Sequence, residues 1–221
     1  VTSRFRWKET NMNPFEEALL RYLSPEQLMK IQQTRVGIAG AGGLGSNCAT
    51  ALVRCGFRKL RILDFDTVDH SNLNRQFYFL SQVGRAKVES LRENLQAINP
   101  GLELETSSVR VEKENATGLF QDCDVVVEAF DREEYKQLII ETYLNSAKLL
   151  VAASGLAGWG NSDRIQVHKI KDNFYLVGDL VTGVGPNCPP LAPCVAIAAA
   201  KQADIILSFV LGPMKGDRAN D

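Results

Sequence analysis

The 221-residue sequence has no Cys-x-x-Cys pair, only two histidines, no internal repeat, no low-complexity segment and no excess of charge of either sign. Each absence excludes something. Without paired cysteines, and with His70 and His168 far from any ligand spacing, no structural zinc site is expected. Lys plus Arg number 25 and Asp plus Glu 26, so no broad basic field advertises nucleic acid or an anionic membrane. Any anion site must be local. Residues Val1 to Glu9 mix Arg, Lys and Trp without the apolar stretch of a secretory signal. The most apolar late stretch, Cys194 to Gly212, is interrupted by Lys201 and Asp204 and reads as a buried helix, not a membrane span. Five cysteines, in a chain able to bury a core without covalent staples, fit free thiols in a reducing cytoplasm.

What is present, 45% hydrophobic and 23% charged residues, describes a globular protein. A single domain is expected over residues 14–212, with flexible ends at 1–13 and 213–221. From Arg35 onward strand and helix patterns alternate. Arg35 to Gly40 is a short apolar run ending in glycine, followed by a helical stretch from Leu44 to Cys55. Leu60 to Asp64 and Leu102 to Val109 read as further strands, separated by an amphipathic helix from Lys87 to Ile98. Asp124 to Glu128 and Leu149 to Ala153 are continuous apolar runs, as in parallel strands buried on both faces, and Glu133 to Ser146 is the crossover helix between them. The class is α/β: a doubly wound, Rossmann-like, mostly parallel sheet with helices on both faces. A helical extension, Pro14 to Gln33, precedes it, with Ser24-Pro25-Glu26-Gln27 as a helix start. Ser162 to Lys169 and Phe174 to Val177 predict antiparallel strands, and the Gly- and Pro-rich Gly183 to Pro193 an exposed crossover loop.

The first strand ends in Gly40-Ala-Gly42-Gly43-Leu-Gly45. Glycines between a strand and a helix let backbone approach a phosphate, while the helix N-terminus offers N–H groups to it. Asp64 lies 21 residues beyond Gly43 at a strand end, where a carboxylate accepts hydrogen bonds from ribose hydroxyls. An NAD-dependent oxidoreductase would share both features. Arg75, Lys87 and Asp131 separate the alternatives: two further cations neutralise a triphosphate and a carboxylate past a strand end holds Mg²⁺, as phosphoryl or nucleotidyl transfer requires and hydride transfer does not. Bland roles remain open for these residues: strand-end caps for Asp64 and Asp66, solvated surface charge for Arg75 and Lys87, a helix cap for Asp131, a turn for Asn72.

The ordered string Gly40-x-Gly-Gly-Leu-Gly45, Asp64-x-Asp66, Ser71-Asn-Leu-x-Arg75-Gln76 and Lys87 resembles the ThiF/MoeB/HesA family, adenylyltransferases of sulfur-carrier proteins related to ubiquitin-activating enzymes. The likeness runs from about Leu20 to Gly212, and the segments Arg21 to Pro25 and Gly185 to Cys194 look most like the compact ThiF type linked to thiamine thiazole biosynthesis. It implies Mg²⁺- and ATP-dependent attack by the C-terminal glycine carboxylate of a small ThiS-like carrier on the α-phosphate, releasing pyrophosphate. By motif position, the glycine loop lies against the nucleotide, Asp64 holds the ribose, Ser71, Asn72, Arg75 and Lys87 contact phosphates, and Asp131 binds the metal. Arg132 stands where longer relatives have Asn, and is either a phosphate contact or solvent-directed. Arg21 and Tyr22 match part of a stretch that supplies an arginine across a dimer in those relatives. Cys188 sits near a thiol that links to the activated carrier in some members, with an inert loop cysteine as the alternative. A sulfur donor protein and a homodimer are implied partners. A molybdopterin-type carrier, a carboxylate on modified tRNA, and a non-catalytic nucleotide-binding module are the other readings.

Overall fold

The computed structural model of the chain describes residues 12–212; the expected flexible ends therefore lie almost wholly outside the described residues. Two short helices come first, α1 (Pro14–Leu19) and α2 (Pro25–Gln33), separated by a break within the expected helical extension, and α2 begins at the helix start expected at Ser24-Pro25-Glu26-Gln27. The break has a local cause. Each helix has its own capping box with proline in the first turn: Asn13 accepts from the Glu16 N–H, and Ser24 from the Gln27 N–H.

The sheet is built from β1 (Arg35–Ala39), β2 (Lys59–Leu63), β3 (Glu103–Ser107), β4 (Val125–Glu128), β5 (Leu149–Ala153), β6 (Gln166–Lys171) and β7 (Phe174–Gly178), in spatial order β3-β2-β1-β4-β5-β7-β6. All pairings are parallel except β6 with β7. Helices α3 (Gly43–Arg54), α4 (Lys87–Gln96), α5 (Lys113–Leu119) and α6 (Glu133–Tyr143) connect the strands, and α7 (Ala192–Leu211) closes the fold. Alternation along β4 and β5 sends Val125, Val127, Leu149 and Val151 into one core with α3, α4 and α7. Val126, Leu150 and Ala152 enter a second core with α5 and α6. The consecutive apolar residues Val125–Val127 and Leu149–Ala153 are what two covered faces require.

Three details differ from the sequence reading. Helix α5 was not anticipated, because Lys113 to Leu119 buries only Ala116 and so shows no apolar period. Ser162–Arg164 is a single 3₁₀ turn, with the strand beginning at Gln166. Strand β7 runs parallel to β5 and so continues the main sheet; only β6, outermost, runs against its neighbour. Helix α7 meets the length and composition of a membrane span, yet Cys194, Val195, Ala198, Ala199, Gln202, Ala203, Ile205 and Ile206 are buried against the rest of the fold. It is a core helix here.

Strand order reverses between β1 and β4, the two strands that start the crossovers to either side. At such a switch point the loops leaving the strand ends diverge and open a crevice. The site lies there.

Candidate functional site

A cavity of about 690 Å³ opens beyond the carboxyl ends of β1, β2, β4 and β5. Its walls include Gly40, Gly42 and Gly43 after β1, Asp64 at the end of β2, Asp131 and Arg132 after β4, and Arg75 and Lys87 from the β2–α4 connection. A second hollow of about 610 Å³ at the opposite end of the sheet, beside Lys30, Asp124 and Lys148, holds none of the candidate residues.

The glycine loop is closed by backbone. Gly40 has φ +109°, its N–H donates to the Leu63 carbonyl at 2.8 Å, and a Cβ there would lie 2.8 Å from the Ala129 carbonyl oxygen. A Cβ on Gly45 would sit 1.9 Å from the Gly40 oxygen, so Gly45 serves the turn of the loop into α3 and does not face the cavity. Gly42, the N-cap of α3, has room for a Cβ, whose nearest neighbour would be Gln76 Nε2 at 3.9 Å, and no side-chain cap, leaving the first N–H groups of a 12-residue helix directed at the crevice.

Asp64 is buried. One carboxylate oxygen accepts from the Ala41 N–H at 2.7 Å and the other from the Asp66 N–H at 2.8 Å. Burial pushes its pKa up, opposed by the nearby Lys87 charge and those two hydrogen bonds. Each oxygen still has a lone pair for a hydroxyl from the cavity side. Lys87, at the first position of α4, is buried with its ammonium 2.8 Å from the Asp66 carboxylate. Among the described residues Arg75 donates only to neutral oxygens, the Ser71 carbonyl at 3.1 Å and Asn74 Oδ1 at 2.7 Å, and its guanidinium charge is not spent on a carboxylate of those residues. Asn47 anchors the segment by donating to the Gly43 and Arg75 carbonyls.

Asp131 is exposed and lines the cavity. It is not the cap of α6, since the N-cap position is Arg132 and no side chain caps that helix. Arg132 lines the cavity while its guanidinium reaches toward Glu134 at 4.0 Å. Ser71 and Asn72 are not brought to the cavity wall. Their side chains are used in a capped 3₁₀ turn, where the Ser71 hydroxyl donates to Asp69 at 2.7 Å and Asn72 Oδ1 accepts from the Asp69 N–H at 3.0 Å. What this turn supplies is the Ser71 carbonyl that holds Arg75. Cys188 is half-buried in the crossover loop, beside Gly158, and is likewise off the wall, although Pro190 two residues on is part of it. Asn74 ties this loop to the Arg75 segment through the Pro190 carbonyl at 3.2 Å.

Three groups in or directly behind the wall have no role that the sequence pattern assigns. Gln76 is buried, and among the described residues its Oε1 has no partner, an orphan acceptor at a cavity surface. Phe65, Phe130 and Tyr135 form an aromatic cluster, with Tyr135 5.5 Å from Phe130 and 6.2 Å from Phe65 between ring centroids. Glu128 and Lys136 form an ion pair at the base of the β4–α6 link. Only Gln76, inside the motif string, carried any signal in sequence; the others are joined by the fold alone.

The ThiF family model matches residues 16–220. Among curated proteins, the adenylyltransferase and sulfurtransferase UBA4 of Candida glabrata is 32% identical over 191 residues, covering 83% of this chain and 44% of that protein. The corresponding protein of Vanderwaltozyma polyspora is 35% identical, covering 80% and 42%. The chain thus spans less than half the length of the curated relatives it matches. Among solved structures, the E. coli tRNA N6-threonylcarbamoyladenosine dehydratase TcdA in complex with ATP superposes with a TM-score of 0.79 at 21% identity, covering 88% of this chain and 92% of that one. E. coli MccB with MccA gives 0.67 at 20% identity, over 91% and 64%. These two likenesses establish the doubly wound fold. The family match spans nearly the whole described chain and shows that this chain belongs to the ThiF family.

Proposed function

We propose that this chain adenylylates the C-terminal glycine carboxylate of a small ubiquitin-like sulfur carrier, consuming ATP and releasing pyrophosphate. The observation that carries the reading is the convergence of the glycine loop, Asp64, Arg75, Lys87 and Asp131 on one cavity. The activities for which the curated relatives are named, adenylyltransferase and sulfurtransferase, support it.

In this reading the α3 N-terminus and its free N–H groups face the phosphates, and Asp64 accepts from the ribose. The Phe130 and Tyr135 faces form an apolar wall for the base. A carrier carboxylate oxygen attacks the α-phosphorus, the bond to the bridging oxygen of pyrophosphate breaks, and the mixed anhydride and pyrophosphate result. Such in-line displacement needs alignment and charge stabilisation more than a covalent nucleophile, which is what Arg75 and Lys87 provide. Among the described residues no cluster of three His, Cys, Asp or Glu is poised to cage a metal. Of the carboxylates that line the cavity, Asp131, at the exposed end of the β4–α6 link, suits Mg²⁺, which takes one or two protein carboxylates with the remainder from water and substrate phosphates. When bound, Mg²⁺ would offset charge on the phosphates.

The finer reading is a ThiS-like carrier of thiamine thiazole biosynthesis, favoured by the Arg21 to Pro25 and Gly185 to Cys194 segments and by the absence of Cys-x-x-Cys pairs. A cytoplasmic homodimer, with Arg21 serving across the interface, and a sulfur donor that meets the adenylate at Cys188, belong to the same proposal. The test is ATP–pyrophosphate exchange with a panel of Gly-Gly-terminated carriers. Exchange should require a carrier and vanish in Arg75→Ala and Asp131→Ala, both retaining the wild-type circular dichroism spectrum. Unchanged exchange in both variants sinks the site; exchange driven by tRNA and by no carrier sinks the substrate.

A further inference from the structure

The Glu128 carboxylate is fully buried at the end of β4, and no step of the proposed reaction uses it. Its Oε2 lies 2.6 Å from Lys136 Nζ, and its Oε1 accepts from the Phe130 N–H at 2.7 Å. Lys136 also donates to the Phe130 carbonyl at 3.0 Å. A buried ion pair is a weak device for stability, since apolar residues of similar volume often do as well; what it supplies well is a fixed arrangement. Here the arrangement knots the chain at Phe130 through both of the peptide groups that flank it. The next residue is Asp131.

The knot is backed on two further sides. Gln202 of α7 donates to the Glu128 carbonyl at 3.4 Å, and the Ala129 N–H donates to the Ala39 carbonyl at 2.9 Å, which sets the link against the glycine loop. Lys136 comes from the first turns of α6, so the pair joins strand end, link and helix into one unit. Its lysine, Lys136, shares the cavity wall with Asp131, while Glu128 lies buried behind it. Asp131 is exposed, and its presentation depends on the backbone around it.

We infer that the Glu128–Lys136 pair is a positioning device that holds the β4–α6 link so that Asp131 faces the cation–nucleotide complex. The inference rests on the reading of Asp131 given above. Lys136 acts through the Phe130 carbonyl and Glu128, not by touching substrate.

The test measures Mn²⁺ binding to the protein saturated with a non-hydrolysable ATP analogue, from the electron paramagnetic resonance signal of free Mn²⁺, beside exchange kinetics. Lys136→Met should weaken Mn²⁺ binding and lower kcat by about 10- to 100-fold, the usual reach of a group that orients a ligand, with KM for ATP little changed. Lys136→Arg, which keeps the charge and donors, should restore both. Should Lys136→Met fail to fold, Glu128→Gln keeps an acceptor for the Phe130 N–H, removes the charge, and should show the same Mn²⁺ loss in smaller measure. Wild-type Mn²⁺ affinity and kcat in folded Lys136→Met or Glu128→Gln, with only a lower Tm, would overturn the inference. Asp131→Ala separates the two claims. If it weakens Mn²⁺ binding while the Lys136 and Glu128 variants do not, positioning alone fails; if it too leaves Mn²⁺ binding intact, the reading of Asp131 fails and the inference with it.

Discussion

Lys87 is tied to Asp66 twice: its ammonium lies 2.8 Å from the Asp66 carboxylate, and its backbone N–H donates to the Asp66 carbonyl at 3.0 Å. The pair locks the end of β2 to the start of α4 and holds a buried cation beside the cavity. An ammonium kept in place costs little further ordering when an anion arrives, which is how a preorganised charge contributes to a transition state. Lys87→Met should therefore lower kcat for exchange by about 100- to 1,000-fold, the loss seen when one such donor is removed, while thermal melting shows the fold retained. A loss below tenfold would remove Lys87 from the phosphate site.

The glycine loop separates two roles that motif matching merges. Gly45→Ala places a methyl 1.9 Å from the Gly40 oxygen, and only backbone movement can relieve it. Overpacking of this kind costs about 1–3 kcal/mol or more, equivalent to a fall in Tm of about 2–12 °C for a chain this size. At Gly42 the nearest atom is Gln76 Nε2 at 3.9 Å, so Gly42→Ala should melt like wild type yet bind ATP more weakly, because the methyl occupies the approach to the α3 N-terminus. Differential scanning calorimetry with ATP titration distinguishes the two outcomes.

Asp122 anchors a charge network with Arg61 and with Arg35, the latter at 2.9 Å. The Arg61 hydrogen bond, partly offset by desolvation, holds the Asp122 pKa below its ordinary 3.8. A carboxylate with a depressed folded pKa adds stability that is complete above its unfolded pKa and is lost as pH falls through the folded value. The side chain is half exposed, so the contribution is at most about 1 kcal/mol, or about 2–4 °C in Tm. Asp122→Asn should melt lower than wild type at pH 7, and the gap should narrow progressively as pH falls below the ordinary carboxylate value of 3.8. A gap that does not respond to acidification would show that the pair's geometry, not its charge, matters.

The cysteines should differ in reactivity. Burial pushes the Cys48 thiol up to about 12 and the Cys123 thiol to about 11. At pH 8 a thiol with a pKa near 12 is thiolate in only about one molecule in 10⁴. Peptide mapping after brief labelling with a disulfide reagent should find Cys188 modified first, and Cys48 and Cys123 only in denaturant. Prior labelling of Cys123 in the native protein would contradict the packing described.

The strands were legible because a sheet covered on both faces demands apolar residues at consecutive positions, as in Val125–Val126–Val127, and the cap signals of α2 were legible at Ser24 and Gln27 for equally local reasons. Helix α5 was not, since a helix that buries one alanine leaves no period to read. Residues of the site that follow a strand end in sequence, Gly40, Gly42, Asp64 and Asp131, line the cavity. Ser71 and Asn72 do not, because short polar side chains beside a turn satisfy local backbone first, and nothing in the sequence distinguishes that use from ligand contact.

The sequence by itself determined the doubly wound class, the glycine loop and the places of the cations, since each depends on local pattern and chain order. Tertiary structure decided which of these groups meet. Glu128 and Lys136 are eight residues apart and read as a strand end and a helix surface, yet the turn between them brings their charges to 2.6 Å. Gln76 is an orphan only once α3 and its neighbours exclude water from it. Distance and desolvation belong to the folded chain, and they turn a motif into a site.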